Sequence, residues 1–259
     1  MHKSLNIALQ ILAFVLLPLL PATLLAQAPT GTLEEFWIFT VKSGQQGEFE
    51  AAFKDQGALR NKLGDPRHWD VYVPATGDDL NRYALRSCCF SWADQDSYTA
   101  WTMQNAPVME QWYSKVNPHV ENAAHYYFEM DLANSHWPEN LTSPAMVGVT
   151  EFSIAPGKVS QFHAARAELS QIAINQGWAA GGKHWAWTDR IGGEPSADLV
   201  VPFDNYAAMT PGEQSIAGFL AEKLGAEKAA ALMEKITSSV SSSSYTIWVH
   251  RPDLSSSKD

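Results

Sequence analysis

The residues Arg67-His68-Trp69-Asp70-Val71-Tyr72 carry the decision about the fold, because a version of them returns about 116 residues later as Lys183-His184-Trp185-Ala186-Trp187-Thr188. Both stretches read cation, His, Trp, and then a further aromatic. Their flanks repeat as well. Phe49 with Ala51-Ala52 is matched by Phe162 with Ala164-Ala165, and Ser43-Gly44 by Pro156-Gly157. Downstream, Tyr98-Thr99-Ala100-Trp101 is matched by Tyr206-Ala207-Ala208-Met209. Divergent self-similarity of this length implies two copies of one structural unit.

Each copy predicts the same order of elements. In the first, Glu35 to Val41 is aromatic and β-branched throughout, as in a strand with both faces covered. Phe49, Ala52, Phe53, Leu59 and Leu63 then fall at helical spacing, and Gly64-Asp65-Pro66 stops that helix. Trp69 to Val73 and Tyr83 to Trp92 read as a pair of strands. A helix follows, capped by Asp94 or Asp96 and split near Pro107, and then a strand from His125 to Met130. The second copy predicts strands at Val147–Ile154, His184–Thr188, Leu199–Phe203 and Tyr245–Val249. Its helices are centred on Phe162 and on Pro211 to Ser238, with a break at Gly225.

A β-α-β-β-α-β unit forms a four-stranded antiparallel sheet with both helices on one face. The other face is expected to be polar, yet Trp37 and Phe39 alternate with Phe36 and Ile38, and Tyr127 alternates with Tyr126 and Phe128. A sheet apolar on both faces has to bury the second one, and the nearest cover is the other copy. The expected fold is therefore α+β, with tandem β-α-β-β-α-β ferredoxin-like repeats packed sheet to sheet as an intramolecular α/β barrel. The competing layout is two independent ferredoxin-like domains side by side. The boundaries read as a signal peptide over 1–28, a first repeat over 33–131, a linker over 132–146, a second repeat over 147–252 and a polar tail over 253–259 that need not be ordered.

Composition narrows the function classes. The 259 residues are 46% hydrophobic and include ten Trp, and the formal net charge is −10 with no run of Lys or Arg. No nucleic-acid partner is expected on that balance. Met1-His2-Lys3, the apolar run from Leu5 to Leu20 and the small residues Ala26-Gln27-Ala28 form a secretory signal. Its core falls short of the ~20 residues of a membrane span. A secreted or periplasmic protein is expected, with no membrane association once the signal is removed; the oligomeric state is left open. The only cysteines are the neighbours Cys88 and Cys89. Adjacent strand residues point to opposite faces, so the pair reads as two small buried thiols, a vicinal disulfide being the alternative.

The expected arrangement resembles the dimeric α/β-barrel superfamily, here with both halves in one chain, on the strength of element order, unit length and two-faced strands. The resemblance implies a small hydrophobic or aromatic ligand between the sheets. It covers cofactor-free monooxygenases and isomerases, haem-binding and haem-degrading proteins, and ligand-sensing modules, and it carries no residue role across.

From the residues themselves, His68 is the candidate proton-handling group, because an imidazole accepts or delivers a proton near neutral pH. Asp70, two positions on, is a same-face carboxylate that could orient the ring. The second copy has Ala186 in that place. The structural reading of both basic-His-Trp turns is that they simply lead into a strand. His68 and Asp70 are the catalytic candidates, and Trp37, Tyr72, His184 and Trp187 the ligand-binding ones. His119, His125 and His250 are formally available to a haem iron, and His68 and His184 with a carboxylate to a metal, but no local spacing supports either. No cofactor and no metal are expected. No G-x-S-x-G elbow, P-loop or Rossmann fingerprint occurs in the sequence. Three functions remain: binding of a small apolar or aromatic molecule, cofactor-free oxygenase or isomerase chemistry at His68, and a structural or interaction module with a filled interior.

Overall fold

The computed structural model describes residues 31–138 and 143–256. The expected signal segment 1–28 and the last residues of the tail lie outside them. The chain runs β1 (Leu33–Val41), α1 (Gln46–Lys62), β2 (Asp70–Pro74), β3 (Arg82–Phe90), α2 (Trp92–Gln104), α3 (Ala106–Gln111) and β4 (Val120–Met130). It continues through β5 (Met146–Ile154), α4 (Val159–Asn175), β6 (Ala186–Ile191), β7 (Ser196–Phe203), α5 (Ile216–Leu224), α6 (Ala226–Thr237) and β8 (Val240–His250), with short helical turns between.

The strands close into one antiparallel barrel in the order β1-β3-β2-β8-β5-β7-β6-β4. Residues 31–138 supply β4-β1-β3-β2 and residues 143–256 supply β8-β5-β7-β6. The two arcs face each other across the interior, and they are also hydrogen-bonded edge to edge. One seam pairs β2 with β8 over Tyr72↔His250, Val73↔Val249 and Pro74↔Trp248; the other pairs β4 with β6 from Tyr127↔Ile191 to Met130↔Thr188. Closure leaves no open sheet edge.

Strand alternation sorts each element between two surroundings. Outward residues of β1 to β3 (Phe39, Val41, Val71, Tyr83) pack with Phe49 and Phe53 of α1. Outward residues of the second arc (Ile154, Trp187, Ala197) pack with Phe162 of α4, Phe219 and Leu220 of α5, and Leu232 and Ile236 of α6. A smaller cluster inside the barrel joins Tyr72 and Ala84 to Val147 and Trp248.

Several boundaries differ from expectation for local reasons. The cap of α2 is Ser91 rather than Asp94 or Asp96: its Oγ accepts from the Asp94 N–H, and the Asp94 carboxylate accepts from the Ser91 N–H, a reciprocal capping box. Trp92 is therefore a helix residue, 51% exposed, not part of the third strand. β8 begins within the serine run because Ser242 to Ser244 pair with Ser153 to Glu151 of β5. The chain after β8 is not a free tail up to residue 256. Leu254 is buried, the Arg251 N–H donates to the Val71 carbonyl at 2.7 Å, and the Ser256 N–H donates to the Trp69 carbonyl at 2.9 Å.

Candidate functional site

A cavity of about 770 Å³ occupies the barrel interior. Its apolar wall includes Phe36, Ile38, Tyr126, Phe128, Val147, Val149, Val200 and Trp248 from both arcs. Its polar wall includes Glu34, His68, Asp70, Arg86, Glu151, Arg190 and Asp198. These are inward positions of strands whose alternate residues cover the outer cores.

Asp70 is the hub of the first polar group. It accepts from His68 Nε2 at 3.0 Å and from Ser143 Oγ at 2.7 Å, and His250 Nε2 lies 3.4 Å away. Arg86 Nη1 is 3.9 Å from its other oxygen, and Arg86 Nε donates to Glu34 at 2.9 Å. Burial pushes the Asp70 carboxyl up, but hydrogen bonds from His250, His68 and Ser143 together outweigh burial and hold it well below the usual carboxylate range. Tyr72 donates to the Pro144 carbonyl at 3.3 Å; burial first, then the Asp70 charge, push its hydroxyl up.

His68 is gripped from both ring nitrogens. Ser256 Oγ lies 3.1 Å from Nδ1 and accepts the Trp69 N–H at 2.8 Å. Its hydroxyl hydrogen is thereby free to point at Nδ1, which leaves the neutral ring's proton on Nε2, facing Asp70. The segment after β8 thus completes the surroundings of a histidine that lies far away in sequence.

The second polar group lies on the other arc. Asp198 of β7 stands opposite Glu151 of β5 and Thr188 of β6 in the strand register. Burial, followed by the charges of Glu151 and Glu34 and opposed by Arg190, pushes its carboxyl up to about 8. It is half-buried, and what exposure it has is to the cavity.

The two cysteines also reach the cavity, and they form a disulfide. Two buried thiols on opposite faces were expected from regular alternation. The register shifts between Leu33↔Phe90 and Glu34↔Cys88, so Cys89 is the extra residue of a bulge, at φ 77°. A bulge suspends alternation locally and turns both side chains to one side.

Of the residues singled out in the sequence, His68, Asp70 and Tyr72 meet on the cavity wall. The other three do not line it. Trp37 lies one register step from the inward Phe36 and Ile38; it stacks on His125 at 4.1 Å and donates to Glu35. Trp187 likewise lies between the inward Ala186 and Thr188, and is buried against α4 with its N–H on Ser170. His184 precedes β6 and stacks on His136 at 5.0 Å. Sequence reasoning missed Glu34, Arg86, Ser143, Ser256 and Asp198. The inward alternation of Glu34 with Phe36, and of Arg86 with Ala84, was the one available signal. Ser143 and Ser256 reach the site only through the tertiary fold.

Among the described residues, no group of three or more His, Cys, Asp or Glu side chains is placed to hold a metal, and no helix is long and apolar enough to cross a membrane. His119 and His125 are engaged by Gln45 and Glu35, and His250 faces Asp70 and Ser255.

No known protein family matches the sequence, and neither does any curated protein. Solved structures do match. A Lactobacillus acidophilus protein provisionally described as a monooxygenase superposes with a TM-score of 0.52 at 8% identity, over 87% of this chain and 95% of its own. A Fusobacterium nucleatum protein with the same provisional description gives 0.52 at 9% identity, over 84% and 91%. An anthrone oxidase-like protein gives 0.45 at 12% identity, over 85% and 91%. Over that extent the chain shares its barrel fold with the first two of these proteins.

Proposed function

We propose that this chain is an exported protein that binds a small, largely aromatic molecule inside the barrel. The observation that carries the reading is the cavity of about 770 Å³, walled by rings and aliphatic side chains from both arcs around a few fixed polar groups. That size and composition suit a small organic ligand, and a filled interior module would lack the space. The recurring element order, β4-β1-β3-β2 followed by β8-β5-β7-β6, supports reading the chain as two fused ferredoxin-like repeats over 33–131 and 147–252. A Cys88–Cys89 disulfide suits the oxidising compartment that export would reach.

The test is NMR titration of His68 and of the Trp248 indole with aromatic acids, quinones and haem. A saturable shift of both by at least one compound is expected. Silence of both resonances across the panel would remove the binding reading.

A second reading is favoured by one observation, the hold of Asp70 and Ser256 on opposite nitrogens of His68. In it, the Ser256 hydroxyl turns to the Trp69 carbonyl 3.5 Å away, His68 takes a proton from the bound molecule at the Nδ1 so uncovered, in cofactor-free oxygenase or isomerase chemistry, and Asp70 stabilises the imidazolium. The provisional monooxygenase descriptions of two fold relatives point the same way. With a turned-over compound in hand, His68→Gln should lower kcat by ~10²-fold or more while its affinity barely changes. An unchanged kcat would remove His68 from the chemistry.

A further inference from the structure

The cavity's charged side chains are almost all committed. Glu34 and Arg86 hold each other, Asp70 is hydrogen-bonded by His68 and Ser143, and Arg82 pairs with Asp79. Glu151 accepts from Ser244 at 3.0 Å, and Arg190 donates one Nη to the Glu194 carbonyl at 2.7 Å and lies over the Tyr126 ring, its buried Nε left without a partner among the described residues. Asp198 is the exception among the carboxylates: in the described residues it has no hydrogen bond and no ion pair. Glu151 stands directly across from it in the register, so two carboxyl groups share one patch of wall, where like charges oppose each other.

Aromatic faces lie within reach of that patch. Phe128 of β4 is the register partner of Arg190 on β6, the strand next to β7. Two strand spacings and a two-residue offset along the strands separate it from Asp198, roughly 12 Å. Phe36 and Tyr126 flank Phe128, with ring centroids 5.4 and 6.3 Å from it. An unpaired acid beside a cluster of rings is complementary to a cation carried on an aromatic skeleton.

We propose that the ligand is an aromatic amine, its ammonium seated on Asp198 beside Glu151 and its ring against Phe36, Tyr126 and Phe128. The proposal rests on the binding reading above and names the ligand class. A ketone or amide oxygen could use the acid form of Asp198, but its lone pairs would then face the Glu151 carboxyl. An ammonium satisfies both groups at once. The charges felt by Asp198 are those of Glu151 on β5, Arg190 on β6 and Glu34 on β1, with Asp189 acting from the outer side of β6; they and burial hold its proton on up to about pH 8. An arriving ammonium reverses that balance, so amine binding near pH 7 is coupled to release of a proton from Asp198.

The experiment is calorimetry on the whole protein at pH 7, in two buffers of different ionisation enthalpy, with tryptamine, its alcohol isostere tryptophol and indole-3-acetate. Tryptamine is expected to bind at least ~10-fold tighter than the other two, with release of close to one proton. Asp198→Asn should abolish both the preference and the proton release, and Glu151→Gln should reduce the preference. Equal binding of the amine and the alcohol, or amine binding without proton release, would overturn the proposal and leave the binding reading standing. Failure of all three indoles would also overturn it, and the His68 and Trp248 titration then decides the parent reading independently.

Discussion

Three residues carry predictions of their own, and Asp70 is the most constrained. Its carboxyl is held below the usual range in the folded protein, so it stabilises the fold above about pH 4 and that contribution fades as pH falls through the folded value. Asp70→Asn should cost ~2–4 kcal/mol at neutral pH, since it leaves Arg86, His68 and His250 facing a neutral amide, and the acid limb of the stability curve should flatten. Urea unfolding at several pH values measures both, and an unaltered acid limb would remove Asp70 from its assigned role. Asp198 has the opposite sign. Its raised value means that ionising it destabilises the fold, progressively from about pH 4 to about pH 8 and then without further change. Asp198→Asn should therefore stabilise the ligand-free protein, by a few kcal/mol at pH 9 and hardly at all near pH 4. A gain of equal size at both pH values would contradict the assignment. Ser256→Ala removes one hydrogen bond to His68 and one from the Trp69 N–H, a cost of ~1 kcal/mol. It should also shift the His68 ring resonances while leaving those of His136 and His184 in place, which a purely local packing defect would not do.

At the scale of elements, the bulge that ends β3 shows where pattern reading succeeds and where it stops. Periodicity of 2 and 3.6 located every strand and every main helix of the barrel, because most positions obey the alternation that burial enforces. Register then decided the site. His68, Asp70 and Tyr72 were legible as one face, and the same alternation places Trp37 and Trp187 on the other, against the helices. Cys88 and Cys89 were not legible, because one inserted residue cancels alternation without leaving a mark in composition. Nor was the strap after β8, whose serines reach His68 and Val71 across more than 180 positions of sequence. The bulge makes a prediction that is independent of the disulfide. Cys89 has φ 77°, which glycine adopts freely and β-branched residues resist. Cys89→Gly and Cys89→Val both remove the disulfide, yet the valine variant should be the less stable by ~1–2 kcal/mol. Thermal unfolding of the pair decides it, and equal midpoints would mean that the bulge is not held in that conformation.

At the scale of the whole molecule, the two arcs have separate outer cores, so what makes them one barrel is concentrated at the seams. The backbone ladders there are short: three register pairs between β2 and β8 and four between β4 and β6, against eight between β5 and β7. Each seam is bolted by side chains instead. The strap after β8 ties β8 to β2 through Arg251, Ser255 and Ser256. At the other seam the buried Arg166 of α4 makes two hydrogen bonds to Asp189 of β6, at 2.7 and 2.8 Å, and one to Asp131, just past β4, at 2.8 Å. A guanidinium clamped in that way fixes two strand ends from different halves in one geometry. Arg166→Leu keeps much of the apolar volume but takes the shared cation from Asp131 and Asp189, leaving them only Asn134 and His163, so a loss of ~3 kcal/mol is expected. The effect should also be local. The seam-facing amides of β4 between Tyr127 and Glu129 and of β6 between Asp189 and Ile191 should exchange with deuterium faster than in the native protein while those of the β5–β7 ladder keep their protection, because opening one seam leaves both outer cores intact. Uniform acceleration across the barrel would mean that the halves unfold together, and that the seam is not a separate weak point.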